Sequence, residues 1–296
     1  MKVLNFGSLN IDYVYSVDAF VKPGETKPVA QLQVNCGGKG LNQSIALARA
    51  GVETWHAGSI GPEGRFLKEE LACAGVQTQF VRTLDAPGGH AIIQVDSRGQ
   101  NCILIYPGTN AMLTEAEMDS VLAQFAPGDV VLVQNETNLV PEIIRAAAAR
   151  GLTVAFNAAP ISEAVREYPL DKVDWLFVNE IGGAVLSGEQ EPEAILRALR
   201  RRCPDTEIVL TLGRQGSLWA GRDGIRRCPA CPVEAVDTTA AGDTFTGFFL
   251  RGVLGEETGL GALELATVAS GISVTRSGAA KSIPLLAEVL SAKLRP

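Results

Sequence analysis

The second half of the chain repeats one pattern. Short apolar runs at Asp129–Val133, Leu152–Phe156, Val173–Val178 and Glu207–Leu212 are separated by stretches with helical spacing, such as Pro141–Arg150 and Pro192–Arg201. Apolar runs with no polar alternation predict strands buried on both faces. Such strands separated by helices imply an α/β fold, a parallel sheet with helices on both sides. Ligands of a sheet like this sit beyond the carboxyl ends of its strands.

The N-terminal third reads differently. After a first strand at Lys2–Gly7, Tyr13, Tyr15, Val17 and Ala19 alternate with Val14, Ser16 and Asp18 at period two, the spacing of a strand with two unlike faces. Val29–Cys36 is a second extended piece. His90–Val95 and Cys102–Tyr106 read as a hairpin turning at Arg98–Asn101. These pieces predict a small sheet, built from segments 12–36 and 90–106, inserted in a single domain over 1–296. No internal repeat, low-complexity tract or linker interrupts the chain.

Charge and composition exclude several function classes. A formal net charge of -7 argues against nucleic acid as a partner, because that affinity rests on Lys and Arg against phosphates. The one basic cluster, Arg197, Arg200, Arg201 and Arg202, reads as cations closing a helix. No apolar run reaches the roughly 18 residues of a membrane span, and Met1–Gly7 does not read as a signal peptide. A cytoplasmic protein is expected, with its six cysteines as thiols. Cys228-Pro229-Ala230-Cys231 lacks a second pair for zinc, and Pro232–Val236 after it reads as a strand, not the helix of a redox unit; the pair reads as structural.

Two segments carry chemical potential. In Val236-Asp237-Thr238-Thr239-Ala240-Ala241-Gly242-Asp243-Thr244-Phe245, small residues precede a helical run of Phe245, Phe248, Phe249 and Val253. Ala241, Gly242 and Asp243 therefore fall in a helix's first turn, where free amides and the positive dipole end can hold an anion. Asp243 could accept a proton there, or it could be an ordinary helix-stabilising carboxylate; the residues alone leave both readings open. The second segment, Asn35-Cys36-Gly37-Gly38-Lys39-Gly40-Leu41-Asn42-Gln43, is not a Walker A loop, since Gly40 stands where Ser or Thr should follow the lysine. Its glycines, Lys39 and Asn42 could face a polyhydroxylated ligand, or form a plain turn. Asp12, near the end of the first strand, and Glu136, after the Asp129–Val133 strand, could hold sugar hydroxyls or serve as caps. Gly58, Gly61 and Gly64 do not fit GxGxxG, which disfavours a nicotinamide cofactor. The two histidines, His56 and His90, leave little room for a His-dependent triad; His56 lies in an expected strand and reads as a core residue.

Taken together, these segments resemble the ribokinase branch of the PfkB carbohydrate kinases, from Gly7 to Pro284. The resemblance rests on Gly-Ser-x-Asn-x-Asp at 7–12, Pro-Gly-Glu-Thr at 23–26, Gly-Gly-Lys-Gly-x-Asn-Gln at 37–43, Asn179-Glu180, Thr211-Leu212-Gly213-x-x-Gly216, Asp237–Phe245 and Val274-Thr275-Arg276-x-Gly278-Ala279. It implies a ribokinase-like fold with a β-sheet lid, and an ATP-dependent sugar kinase whose leading reaction turns D-ribose into ribose 5-phosphate. Another sugar or a nucleoside is the alternative substrate, and a non-catalytic sugar-binding protein the alternative function. It implies Asp243 as base and the amides of Ala240, Ala241 and Gly242 as an anion hole. Asn10, Asp12, Gly38, Lys39, Asn42 and Glu136 would hold the sugar, and Asn179, Thr211, Gly213 and Gly216 would line the nucleotide. Mg²⁺ would travel with ATP. K⁺ would sit at Asp237, Thr239, Ser273, Gly278 and Ser282, and two copies would pair through the lid. The chain departs from the family twice: Gly182 ends Asn-x-x-Glu without its glutamate, and Gly61-Pro62-Glu63-Gly64 replaces a Gly-Asp pair.

Overall fold

The structure is a computed structural model that describes residues 1–255 and 259–293. In chain order its elements are β1 (Val3–Phe6), β2 (Asn10–Ser16), β3 (Gln31–Gly37), α1 (Lys39–Arg49), β4 (Thr54–Ile60), α2 (Arg65–Cys73), β5 (Gln77–Thr83), β6 (Gly89–Val95), β7 (Asn101–Tyr106), α3 (Glu115–Leu122) and β8 (Val130–Gln134). They continue with α4 (Val140–Ala149), β9 (Thr153–Asn157), β10 (Trp175–Asn179), α5 (Glu180–Ser187), α6 (Pro192–Arg202), β11 (Glu207–Thr211), β12 (Ser217–Gly221), β13 (Gly224–Cys228), α7 (Ala241–Leu254), α8 (Gly259–Val274) and α9 (Leu286–Lys293).

The main sheet has nine strands in the order β13-β12-β11-β10-β9-β8-β1-β4-β5. From β11 to β5 neighbouring strands run parallel. Alternate residues of one strand feed opposite cores: Val130 and Leu132 join the side carrying α1, α7 and α8, while Val131 and Val133 join the side carrying α4 and α6. That two-sided burial is why these runs are apolar throughout. The sequence reading did not foresee the antiparallel β12 and β13 at one edge.

The segments read as a small separate sheet form one, in the order β3-β2-β6-β7. β6 and β7 pair antiparallel as the expected hairpin, and β2 joins β6 in parallel. Pro232–Val236 is not a strand. Proline lacks an N–H, Val233 N–H turns back to Cys231 O at 3.0 Å, and Val236 N–H goes to Val274 O at 2.8 Å, so these amides serve a loop instead of a ladder. No helix among the described residues is long and apolar enough to cross a membrane.

Helices α1 and α7 set the geometry of the site. Any side chain at Gly247 would meet Ala46 Cβ at 2.5 Å, so the two helices touch almost backbone to backbone. One turn earlier on each helix stand Asp243 and the pair Asn42 and Gln43.

Candidate active site

Asp243 is buried at the start of α7 and receives two side-chain amides from α1. Gln43 Nε2 donates to Oδ1 at 2.8 Å and Asn42 Nδ2 donates to Oδ2 at 3.2 Å. Asn42 Oδ1, buried beside the carboxylate, has no hydrogen-bond partner within the protein, the state of a group awaiting a donor from a ligand.

On the same side, Glu136 Oε2 accepts from Ser8 Oγ at 2.5 Å and from the Lys39 backbone N–H at 2.9 Å. Burial pushes Glu136 above the ordinary carboxylate range, and Lys39 and Ser8 only partly offset it. Asp243 foremost, with Glu136, holds the Lys39 ammonium above the usual lysine value against the pull of burial. Asp12 rises to about 7, chiefly through burial and secondarily through Glu136. Gly37 makes its room: a Cβ there would lie 2.1 Å from Asp12 Oδ2. Gly38, at φ +92, caps α1 in a conformation that favours glycine. Lys39, Asn42 and Glu136 therefore stand with Asp243, Asp12 lies beside Glu136, and Gly38 lies against Ser8. Asn10 Oδ1 accepts from Asn110 Nδ2 at 2.7 Å, tying β2 to the turn after β7.

The other side of the α7 start faces a cavity of about 490 Å³. Thr211, Gly213 and Gly216 line it from the end of β11, and Ala241 and Gly242 from the helix. Gly242 lines the cavity, and an added Cβ there would meet nothing within 4 Å. The buried Thr267 hydroxyl in the wall has no partner. Ala241 N–H donates to Thr238 O at 3.2 Å, which leaves Gly242 and Asp243 as the amides ahead of the first intrahelical bond, Thr244 N–H to Ala240 O. Ala240 itself sits at φ 60 as the N-cap. Asn179 does not line the cavity; its Oδ1 accepts from Gly182 N–H at 2.7 Å and caps α5. A glutamate at 182 would stand at the position that completes a capping box.

Beside the α7 start, Asp237 Oδ1 accepts from Thr239 N–H and Oγ1 at 2.9 and 2.6 Å, and Oδ2 from Gly278 N–H at 2.9 Å. Burial acts to raise this carboxyl, but those bonds outweigh it and hold it below its usual range. Ser273 and Ser282, both buried, donate to Ser270 O and Ala279 O at 2.8 Å, which leaves oxygen lone pairs free for a cation. These are hard oxygen donors, the type that suits a monovalent ion. Among the described residues, no group of three His, Cys, Asp or Glu side chains gathers to hold a metal.

Reasoning from sequence passed over Ser8, Gln43 and Glu63. Ser8 and Gln43 lie inside the quoted motifs but were not singled out. Glu63 Oε1 accepts from Gly88 N–H at 2.6 Å and so fixes the entry to β6; this carboxylate stands in the altered Gly61–Gly64 segment.

The pfkB family carbohydrate kinase profile matches residues 1–286. A ribokinase of Staphylococcus aureus is 35% identical over 97% of this chain and 98% of its own length. Among solved structures, the ribokinase of Cryptococcus neoformans in complex with ADP superposes with a TM-score of 0.86 at 34% identity, covering 98% of this chain and 99% of that one. The ribokinase of Arabidopsis thaliana complexed with ribose and ATP gives 0.88 at 27%, covering 100% and 99%. With the profile matching residues 1–286 and a relative 35% identical along nearly its whole length, this protein belongs to the pfkB family of carbohydrate kinases.

Proposed function

We propose that the chain phosphorylates D-ribose on its primary hydroxyl at the expense of ATP, giving ribose 5-phosphate. One observation carries the reading: the start of α7 stands between a cluster of buried polar side chains and a cavity of about 490 Å³, with a buried carboxylate at the partition. A volume of about 490 Å³ lies within the range of small-molecule sites. The structures of relatives with ADP, or with ribose and ATP, support the same assignment.

In this mechanism Asp12, Lys39, Asn42 and Glu136 orient the sugar hydroxyls. Asp243 Oδ2, the oxygen with the longer amide contact, takes the proton as the sugar oxygen forms its bond to the γ-phosphorus. The bond from that phosphorus to the bridging oxygen breaks, and ADP leaves with the electron pair. The Gly242 and Asp243 amides meet charge on the transferring group, where positioning and electrostatics supply most of the catalysis. Mg²⁺ would neutralise phosphate charge while held mainly by the phosphates. K⁺ in the loop that Asp237 anchors would steady the helix start. An ATP-using enzyme with six free thiols suits the reducing cytoplasm.

An ATP-coupled assay over ribose, deoxyribose, ketoses, hexoses and nucleosides tests the reading; ribose should give the highest kcat/KM, and phosphorylation of none of them would sink it. Repeated with tetramethylammonium in place of K⁺, the ribose rate should fall several-fold, and an undiminished rate would remove the potassium site.

The small sheet also carries the proposed homodimer contact. Strand β7 is its edge, and Ile103, Leu104 and Ile105 there are 46%, 67% and 56% exposed. On the opposite edge strand Leu32 and Val34 are about half exposed. An apolar patch on an open edge calls for a covering surface. Sedimentation should find a dimer in the wild type and a monomer in Leu104→Asp; a monomeric wild type would discard the pairing.

A further inference from the structure

A line of uncharged polar side chains runs inward from Asp243. Gln43 Oε1 accepts from Gln134 Nε2 at 2.8 Å, and Gln134 Nε2 also donates to Asn5 Oδ1 at 3.0 Å. Asn5 Nδ2 donates to Gly40 O at 2.8 Å and to Ser44 Oγ at 2.9 Å. Ser44 Oγ meets His56 Nδ1 at 2.8 Å, and His56 Nε2 meets Gly7 O at 3.1 Å. Gln43, Gln134, Asn5, Ser44 and His56 are all 0–1% exposed.

The direction of every bond is set by groups that can only accept. Gly40 O requires Nδ2 of Asn5 on its side, which turns Asn5 Oδ1 toward Gln134. Two acceptors, Asn5 Oδ1 and Gln43 Oε1, then demand both protons of Gln134 Nε2. At the far end Gly7 O takes the Nε2 proton of His56, so Nδ1 accepts from Ser44. Burial keeps this ring neutral, with a pKa of about 4. Gln43 is left one orientation, with Nε2 toward the Asp243 carboxylate.

We propose that Gln134 is a positioning residue for Asp243: it fixes the Gln43 amide so that its N–H, and not its carbonyl, faces the carboxylate. A reversed Gln43 would set a carbonyl oxygen against a carboxylate oxygen and swing Asp243 away from the sugar. The other charged groups facing Asp243 are Lys39 and, beyond it, Glu136; neither bonds Gln43. The proposal rests on Asp243 as base, but the hold of Gln134 on the Gln43 amide can be measured without turnover.

The test compares wild type with Gln134→Met and Gln43→Met, which keep side-chain volume, and with Thr206→Val as a control. Thr206 is a buried hydroxyl bound to Leu170 O, away from this line. Two readouts are taken: kcat and KM for ribose and ATP, and hydrogen exchange of the Gln43 side-chain amide followed by NMR. In wild type that amide should be protected. In Gln134→Met protection should be lost and kcat should fall about tenfold, with both KM values within about threefold, the pattern of a misplaced catalytic group. Gln43→Met should lower kcat in the same way, and Thr206→Val should change melting temperature only. A freely exchanging wild-type Gln43 amide, or a Gln134→Met protein with protection and kcat intact, overturns the proposal. If wild type fails to phosphorylate any sugar, the base assignment falls instead, and the exchange measurement still decides whether Gln134 holds the Gln43 amide.

Discussion

Asp243→Asn should bind ribose and ATP within a few-fold of wild type and turn over at least about 10² more slowly. The substitution keeps size and planarity, so packing around the α1–α7 contact is preserved. It removes the proton acceptor and one anionic charge. It also sets an amide donor against one of two donors, since Gln43 Nε2 and Asn42 Nδ2 both point at this position. Lys39 loses the stronger of its two carboxylate neighbours but keeps Glu136 beside it. Calorimetric titration with ribose and with a non-hydrolysable ATP analogue, alongside steady-state rates, separates binding from chemistry. A variant retaining full turnover would remove Asp243 from the base role, whereas loss of ribose binding in step with turnover would make it a sugar ligand.

The main body of the fold was legible because its strands are buried on both faces and its helices are not, so period and hydrophobicity agree. The helix start at Ala241–Asp243 was legible from small residues ahead of a Phe245, Phe248, Phe249 periodicity. The edge pair β12 and β13 was not: Gly224–Cys228, with two arginines and mostly exposed, has no apolar run to mark it. Val233–Val236 misled for the opposite reason, because valines carry a strand signal whose backbone is in fact drawn to the end of α8. Asn179 reads two ways in the sequence, because a helix cap and a ligand contact ask for the same residue type, and its Oδ1 caps α5. Gln43 and Gln134 were invisible as partners, since 91 residues separate them and helix α1 meets strand β8 only in the folded chain.

Asp12→Asn should raise the stability of the ligand-free protein while weakening its grip on the sugar. The Asp12 carboxyl titrates at about 7 in the fold against an ordinary 3.8, chiefly because it is buried and next because Glu136 lies near. Between those values the folded chain holds a proton that the unfolded chain releases, so the contribution of this group to stability falls as pH rises across that window. Above pH 7 the penalty is complete, at about 2–4 kcal/mol. Asparagine fills the space left by Gly37 without a charge to desolvate. The variant should therefore melt higher than wild type at pH 8, and the gap should close as pH approaches 4. Sugar binding should respond in the reverse sense. Hydroxyl donors favour the ionised carboxylate, so wild-type ribose affinity should strengthen with pH up to about 7 and then level off. The variant should lose a charge-assisted hydrogen bond, bind ribose about 10–100-fold more weakly, and show no such rise. Thermal denaturation and ribose titration from pH 5 to 8 read both effects. An Asp12→Asn protein that melts lower at pH 8, or that keeps wild-type ribose affinity, would show that this carboxylate is neither strained nor engaged. If both effects appear, the chain keeps a destabilising charge at its sugar site because the sugar, and not the fold, uses it.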